Sequence, residues 1–372
     1  MLGHVYFDHT FSERFVSILK KEYRKQVTKE HLWEDLYIRY IDELDLYIRR
    51  YDSELIKEFD SLDELRLFDR NYLENSNSLI FHNICLVLGC MEPDIMDIFP
   101  IKTGLTNLSF CFTCRGKRYV YRHPGIGTQE YINRRAEATT MQIPQELGVD
   151  DTYIYIDPVE GWKISHYIEN ARLLDYHNIR QVENALGILR ILHNSGKKTG
   201  YYFDIWQEID GFKKRLKESN RTDFEDMQEM EDRIEKIRGY LDQDGVEKTI
   251  CHCDSYSPNF LIDQQDKMYL IDWEYSGMSD PGVDVGTFIA CSDYDMEEAG
   301  EIIKMYLGHE PSEKEMCHFI GYVAVSSFYW FVWALYQESV GKTVGEYLYI
   351  WYRYTKRYSA KTLDLYEGKE ED

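Results

Sequence analysis

The run His252-Cys253-Asp254-Ser255-Tyr256-Ser257-Pro258-Asn259 is followed, from Tyr269, by a strand-like segment that ends in Ile271-Asp272-Trp273-Glu274. Phosphoryl transfer needs a carboxylate beside the acceptor hydroxyl, and it needs oxygen ligands that hold magnesium against the nucleotide phosphates. This HxDxxxxN pattern and the acidic strand end after it supply both. Asp254, in a loop just past the strand-like TICHC, is placed to orient a substrate hydroxyl and accept its proton. Asn259 can curl back toward a metal, and Asp272 is placed to ligate magnesium, because hard cations favour carboxylate oxygen. Glu274 is either a second ligand or a wall of the pocket. A lone Asp or Asn in a loop usually caps a turn, so the assignment rests on the order and spacing of the residues together.

Upstream of this run, His177 to Asn194 repeats apolar residues at Val182, Leu186, Leu189 and Leu192 with helical spacing, and Gln207 to Tyr240 is a charged helical region. Further upstream the period changes. SFCFTC and RYVYR read as strands joined by Arg115-Gly116-Lys117, a helix is predicted from about Tyr131 to Leu147 after Gly125 and Gly127, and TYIYI and WKISHYI read as strands around the turn DPVEG. Pro93 and Pro100 separate this strand region from a helical pattern that runs from Phe11 to about Asn75. From Glu298 to the end the chain is again helical and rich in aromatics. A sheet with one helix, followed by a larger helical part, is an α+β arrangement with predicted divisions at 1–92, 93–169 and 170–372.

Composition narrows the partners. Acidic residues outnumber basic ones 66 to 43 for a net charge of −23, a field that repels phosphate backbones, so no nucleic-acid partner is expected. The start MLGHVYFDHT lacks a basic, apolar leader, which points to a cytoplasmic address, and the 8 cysteines are too sparse for a disulfide scaffold. Cys111 and Cys114 have CxxC spacing, but residues three apart on a strand face opposite sides, which argues against a zinc site shared with Cys251 and Cys253. Phe319 to Gln337 holds no charge and is nearly long enough to span a membrane. Its Gly, Ser, Tyr and Gln content and the lack of a basic flank predict a buried core helix instead.

HxDxxxxN followed by IDWEYS is similar to the choline and ethanolamine kinases, most closely the bacterial LicA-like choline kinases, and more loosely to the aminoglycoside phosphotransferases. The resemblance covers roughly Ile101 to Tyr354, through GLTNLSF, GWKISHYIE, LIDWEYSGMSDPGVDVG and YWFVWALYQ. It implies a bilobal protein-kinase-like fold: a small β-sheet nucleotide lobe, a larger helical lobe and, here, an N-terminal helical extension. It also implies ATP and magnesium as cofactors. In that scheme Gly104 to Ser109 covers the phosphates, with Thr106, Asn107 and Ser109 as donors. Arg122 grips phosphate and pairs with Glu137, the segment Tyr167, Ile168 and Glu169 is the hinge that meets adenine, and Asp284 has a structural place behind the catalytic loop.

Choline's quaternary ammonium has no hydrogen to donate, so its site must rely on aromatic faces and nearby carboxylates. Trp330 and Trp333 share one face of the predicted core helix, Tyr275 follows the metal segment, and Tyr349 is one of several aromatics in the last helical stretch. The resemblance of YWFVW to the tryptophan pair of choline kinases assigns these rings to the acceptor, although such a stripe usually just fills a core. The expected reaction is ATP plus choline giving phosphocholine and ADP. Ethanolamine, an aminoglycoside or another small alcohol is the alternative acceptor, and a catalytically silent kinase-like binding protein is the alternative of a different class. The acidic N-terminal helices suggest a homodimer contact or a cap.

Overall fold

The alternation that begins after Pro93 becomes an antiparallel sheet: β1 Ile95–Ile101, β2 Leu108–Cys114, β3 Lys117–His123, β4 Tyr153–Ile156 and β5 Lys163–His166, in the order β1-β2-β3-β5-β4. Arg115 and Gly116 join β2 to β3 with φ of 50° and 75°, the positive pair that a two-residue hairpin requires. The computed structural model describes residues 5–23, 32–47, 78–101, 107–125, 127–128, 131–218, 224–342 and 344–368. These fall in two compact units, Met1–Ser76 and Asn77–Asp372.

In the first unit, α1 (His9–Glu22) starts where Asp8 accepts a hydrogen bond from the Phe11 N–H at 2.7 Å, and α2 spans Trp33–Arg39. Phe7 stacks on Phe11 at 4.7 Å and meets Trp33 edge-on at 5.1 Å. Buried Glu22 accepts from Arg39 and Tyr40. The rest of the predicted helical stretch toward Asn75 lies outside the described residues.

The second unit opens with α3 (Leu79–Leu88), which places Ile84 beneath the sheet with Ile95, Phe112, Tyr121, Trp162 and Ile164. Tyr121 and Trp162 stack at 5.8 Å. α3 is apolar because it covers the sheet, and the second compact unit begins at Asn77, ahead of the predicted division after residue 92. Neighbouring side chains on a strand point to opposite faces, so Arg122 and its cross-strand partner Lys163 leave the face that Tyr121 and Ile164 occupy.

Against that second face lie α4 (Arg134–Thr140) and α5 (Gln142–Glu146). The single helix predicted there is broken because Pro144 has no N–H to continue the ladder. Next come β6 (Arg172–Leu173), α6 (Ile179–His193), α7 (Ile205–Glu218) and α8 (Met227–Asp244). Short strands β7 (Thr249–Cys251), β8 (Phe260–Ile262), β9 (Met268–Leu270) and β10 (Gly277–Ser279) carry the motif, forming a β7–β10 pair and a β6-β8-β9 sheet. The chain closes with α9 (Pro281–Ala290), α10 (Met296–Leu307), α11 (Glu313–Ser339) and α12 (Tyr347–Glu367).

Helix α11 is the axis of the helical lobe. It is long and apolar enough to cross a membrane, but its most apolar stretch is 89% buried inside the protein, as a core helix must be. Gly286 allows α9 to approach it, since a Cβ there would stand 2.4 Å from the Tyr322 carbonyl oxygen. All eight cysteines are free thiols, seven buried and Cys85 half-buried.

Candidate active site

The loop after β7 is held from behind by one carboxylate. Asp284, fully buried in the first turns of α9, accepts from the backbone N–H of His252 at 2.8 Å and of Cys253 at 2.6 Å, and it pairs with His193 Nε2 at 2.9 Å. Burial raises its pKa, but His193, by hydrogen bond and charge, and the His252 backbone N–H outweigh burial and hold it below the usual carboxylate range. His252 is equally constrained. Its Nδ1 accepts from the Asp254 N–H at 3.2 Å, so Nε2 carries the proton and donates to the Ile271 carbonyl at 2.8 Å. Burial lowers the pKa of this imidazole, which is the neutral form that the two bonds require. Cys253 takes φ +66°, a strained turn that this network pays for and that aims Asp254 forward.

Asn259 curls back as its spacing predicts. Its Nδ2 donates to Asp254 Oδ2 at 2.9 Å and to the Asp254 carbonyl at 2.8 Å, which directs Oδ1 away from Asp254. Burial, then the like charge of Asp272, pushes the Asp254 carboxyl well above the usual range. Asp272, two residues beyond β9, has φ +65° and is half-buried, so a second strained residue presents a carboxylate to the same cleft. Glu274 is buried, and burial followed by Asp272 raises its pKa.

Three cations face these groups. Arg122 donates from Nη1 to Asp272 at 2.8 Å and from Nη2 to Glu137 at 2.7 Å. Arg134 reaches Glu274 at 3.1 Å and Glu137 at 3.3 Å. Lys163 Nζ lies 3.5 Å from Glu137 and 4.0 Å from Asp272. Burial raises the Glu137 pKa, but Arg122 and Lys163 oppose it and bring it down to about 2. Oxygen donors from Asn259, Asp272 and Glu274 in one cleft are a suitable set for a hard divalent cation. Buried Arg122 Nε, which has no hydrogen-bond partner, suits an incoming phosphate oxygen.

Gly104 and Thr106 lie outside the described residues. Asn107 donates to Glu274 at 3.0 Å and accepts from the Gly125 N–H at 3.4 Å, which ties the start of β2 to the segment after β9. Ser109 is paired with Arg122 across β2 and β3. The Tyr167 N–H is already donated to the Arg118 carbonyl at 3.1 Å, and the Glu169 side chain accepts from Arg118 at 3.1 Å. A cleft of about 480 Å³ runs along this segment, lined by His166, Tyr167, Ile168 and Glu169 and, opposite, by Gln264 and Tyr269.

The aromatic prediction divides. Trp330 meets Tyr275 at 5.8 Å, Trp333 at 5.5 Å and Trp351 at 5.8 Å, and Tyr347 stacks on Trp351 at 5.4 Å. The charge of Asp254 is among the causes that raise the pKa of Tyr256, Tyr275 and Cys291, after burial in each case. Tyr349 is not among them. It is 59% exposed beside Tyr352 and Arg353, because Tyr347 and Trp351, four apart on α12, share the inward face and Tyr349 does not.

Residues 98–325 match the profile of one family, described as choline/ethanolamine kinase. The chain belongs to this family. This kinase is 25% identical to protein LicA of Haemophilus influenzae over 66% of its own length and 74% of LicA's, and 28% identical to a probable ethanolamine kinase of Arabidopsis thaliana, covering 74% and 82%. Its structure is similar to that of LicA in complex with AMP, with a TM-score of 0.63 at 25% identity, covering 72% of this chain and 92% of that one. The bilobal arrangement is the protein-kinase-like fold, and the chemistry is phosphotransfer to an alcohol from a nucleotide.

Two residues of this kinase site escaped the sequence reading. Arg134 reads as an ordinary helix-start charge beside Arg135, and its partner Glu274 is 140 residues away. Lys163 was legible only as the polar member of an alternating strand, although a lysine on a strand face opposite Arg122 is a detectable signal once the sheet order is known.

Proposed function

We propose that this kinase transfers the γ-phosphoryl group of ATP to the hydroxyl of choline, giving phosphocholine and ADP. The observation that carries the acceptor assignment is the ring cluster of Tyr275, Trp330, Trp333 and Trp351, in which Tyr275 directly follows Glu274. The cluster offers ring faces, which are all that a methylated ammonium needs, and its polar atoms are few: Trp333 Nε1 and Tyr275 Oη are buried without a partner. The likeness to the Arabidopsis protein favours ethanolamine as the second reading.

In the reaction, Asp254 orients the choline hydroxyl and takes its proton, and Asn259 holds Asp254 in place. Asn259, Asp272 and Glu274 would hold magnesium, which would neutralise charge on the transferring group. Arg122, aligned by Glu137, grips phosphate together with Asn107, Ser109 and the loop containing Gly104 and Thr106. Adenine meets the backbone of Ile168 and Glu169, since the Tyr167 N–H is already committed. Free thiols throughout fit a reducing cytoplasm, where ATP is also available.

The test is magnesium-dependent ADP release with choline, ethanolamine and an aminoglycoside side by side, with Asp254→Ala as the blank. Choline is expected to be turned over best, and Trp330→Ala to raise its KM about tenfold through loss of a cation–ring contact. Preferred turnover of ethanolamine, or of neither small cation, overturns the choline assignment.

A further inference from the structure

Lys163 is 8% exposed at the start of β5, in direct register with Arg122, and both side chains face Glu137 and Asp272. Three cations, Arg122, Arg134 and Lys163, here meet three carboxylates, Glu137, Asp272 and Glu274. Removing any one cation leaves a buried carboxylate under-compensated.

The two residues of the register pair differ in what they hold. Arg122 is divided, with Nη1 at 2.8 Å from Asp272 Oδ1 and Nη2 at 2.7 Å from Glu137. A metal held by the Asp272 carboxylate would weaken the bond that this carboxylate accepts from Arg122 Nη1 and leave the guanidinium freer to meet phosphate. Arg122 then relies chiefly on Glu137 for its alignment, with the Gly161 carbonyl 3.4 Å from Nη2 and Glu274 3.8 Å from Nη1 as weaker partners. Lys163 holds Glu137 from the neighbouring strand at 3.5 Å, and its single-point ammonium on a flexible stem can follow small shifts that a planar guanidinium cannot.

We propose that Lys163 is a positioning residue for metal-nucleotide binding: it keeps Glu137 anchored to the sheet while Arg122 exchanges Asp272 for nucleotide phosphate. The proposal rests on the metal role of Asp272 and the phosphate role of Arg122 given above. Lys163 acts through Arg122 and Glu137, so its contribution to nucleotide affinity, as distinct from stability, arises only when the metal enters. A direct phosphate ligand, or a residue that merely supports the fold, would matter with or without metal.

The experiment measures ADP affinity calorimetrically, with magnesium and with a chelator, for wild type, Lys163→Met, Lys163→Arg and Asp272→Asn. Lys163→Met is expected to weaken binding about tenfold with magnesium, the scale of one lost charge-assisted contact. Without magnesium its affinity is expected to stay within about twofold of wild type, and Lys163→Arg is expected to recover most of the loss by restoring the charge. Equal weakening in both conditions, or none in either, overturns the proposal, as does failure of Lys163→Arg to recover while its thermal midpoint matches wild type. Asp272→Asn tests the underlying reading separately: if it leaves the magnesium enhancement intact, the metal role of Asp272 falls whatever Lys163→Met shows.

Discussion

Asp254, the proposed base, sits in an environment that works against its charge. Burial, then the neighbouring Asp272, favours the protonated acid, and the Asn259 amide opposes them. A group whose pKa is raised loses its ionised form at a higher pH than an ordinary aspartate. The acid limb of kcat/KM is therefore expected above the usual carboxylate range, and Asn259→Ala is expected to move it higher still, measured as a pH profile of ADP release. Asp254→Asn keeps the hydrogen bond to Asn259 but cannot accept the proton. It is expected to lower kcat by roughly 10²- to 10⁴-fold while MgADP affinity stays near wild type.

At the scale of elements, α9 is the part that makes the loop after β7 a site, because it delivers Asp284 to two backbone N–H groups and to His193. In Asp284→Asn one of these oxygens becomes an N–H₂ that faces donors. Unfolding is expected to become easier by about 3–5 kcal/mol, the cost of breaking a buried charged network, with activity lost at temperatures where the variant is still folded. Thermal unfolding and ADP release together check this. The pKa of Asp284 is depressed in the folded protein, so its stabilisation is complete above the unfolded value and lost as pH falls through the folded one; the wild-type advantage over Asp284→Asn should shrink in acid.

This network also shows what could be read in advance. That Asn259 curls back to Asp254 was legible because both lie in one short loop, and the strand pairs were legible from period-two alternation. The helix–sheet pairing of α3 was not, since an apolar helix looks the same whatever it covers. The place of Tyr349 depended on which face of α12 turns inward, a choice made by Trp330 on another helix. Arg134 and Lys163 take their meaning from partners remote in sequence.

At the scale of the whole molecule, a second buried histidine joins distant parts of the helical lobe. His318 on α11 holds Asp244 at the end of α8 through Nδ1 at 2.8 Å and Asp280, the N-cap of α9, through Nε2 at 3.0 Å. Both nitrogens face carboxylates, so the doubly protonated ring fits best. Burial lowers its pKa, but Asp280 and Asp244 outweigh burial and raise it. The stability it supplies is thus complete below the ordinary histidine value and is lost as pH rises through the raised folded value. Wild type should exceed His318→Gln in thermal midpoint by several degrees at about pH 6, and by progressively less in alkali, as calorimetric scans across pH would show.

The distribution of sulfur has a practical meaning for measuring motion in this enzyme. Seven thiols are enclosed, and the remaining one, Cys85, is held by burial and its neighbour Cys90 at a pKa of about 11, where the reactive thiolate is scarce at neutral pH. A maleimide dye should therefore ignore the natural protein and attach only to cysteines introduced on the surface. One such label on the exposed edge of the sheet and one on α12 would report, as a change in energy transfer, how far the cleft closes when nucleotide and acceptor enter.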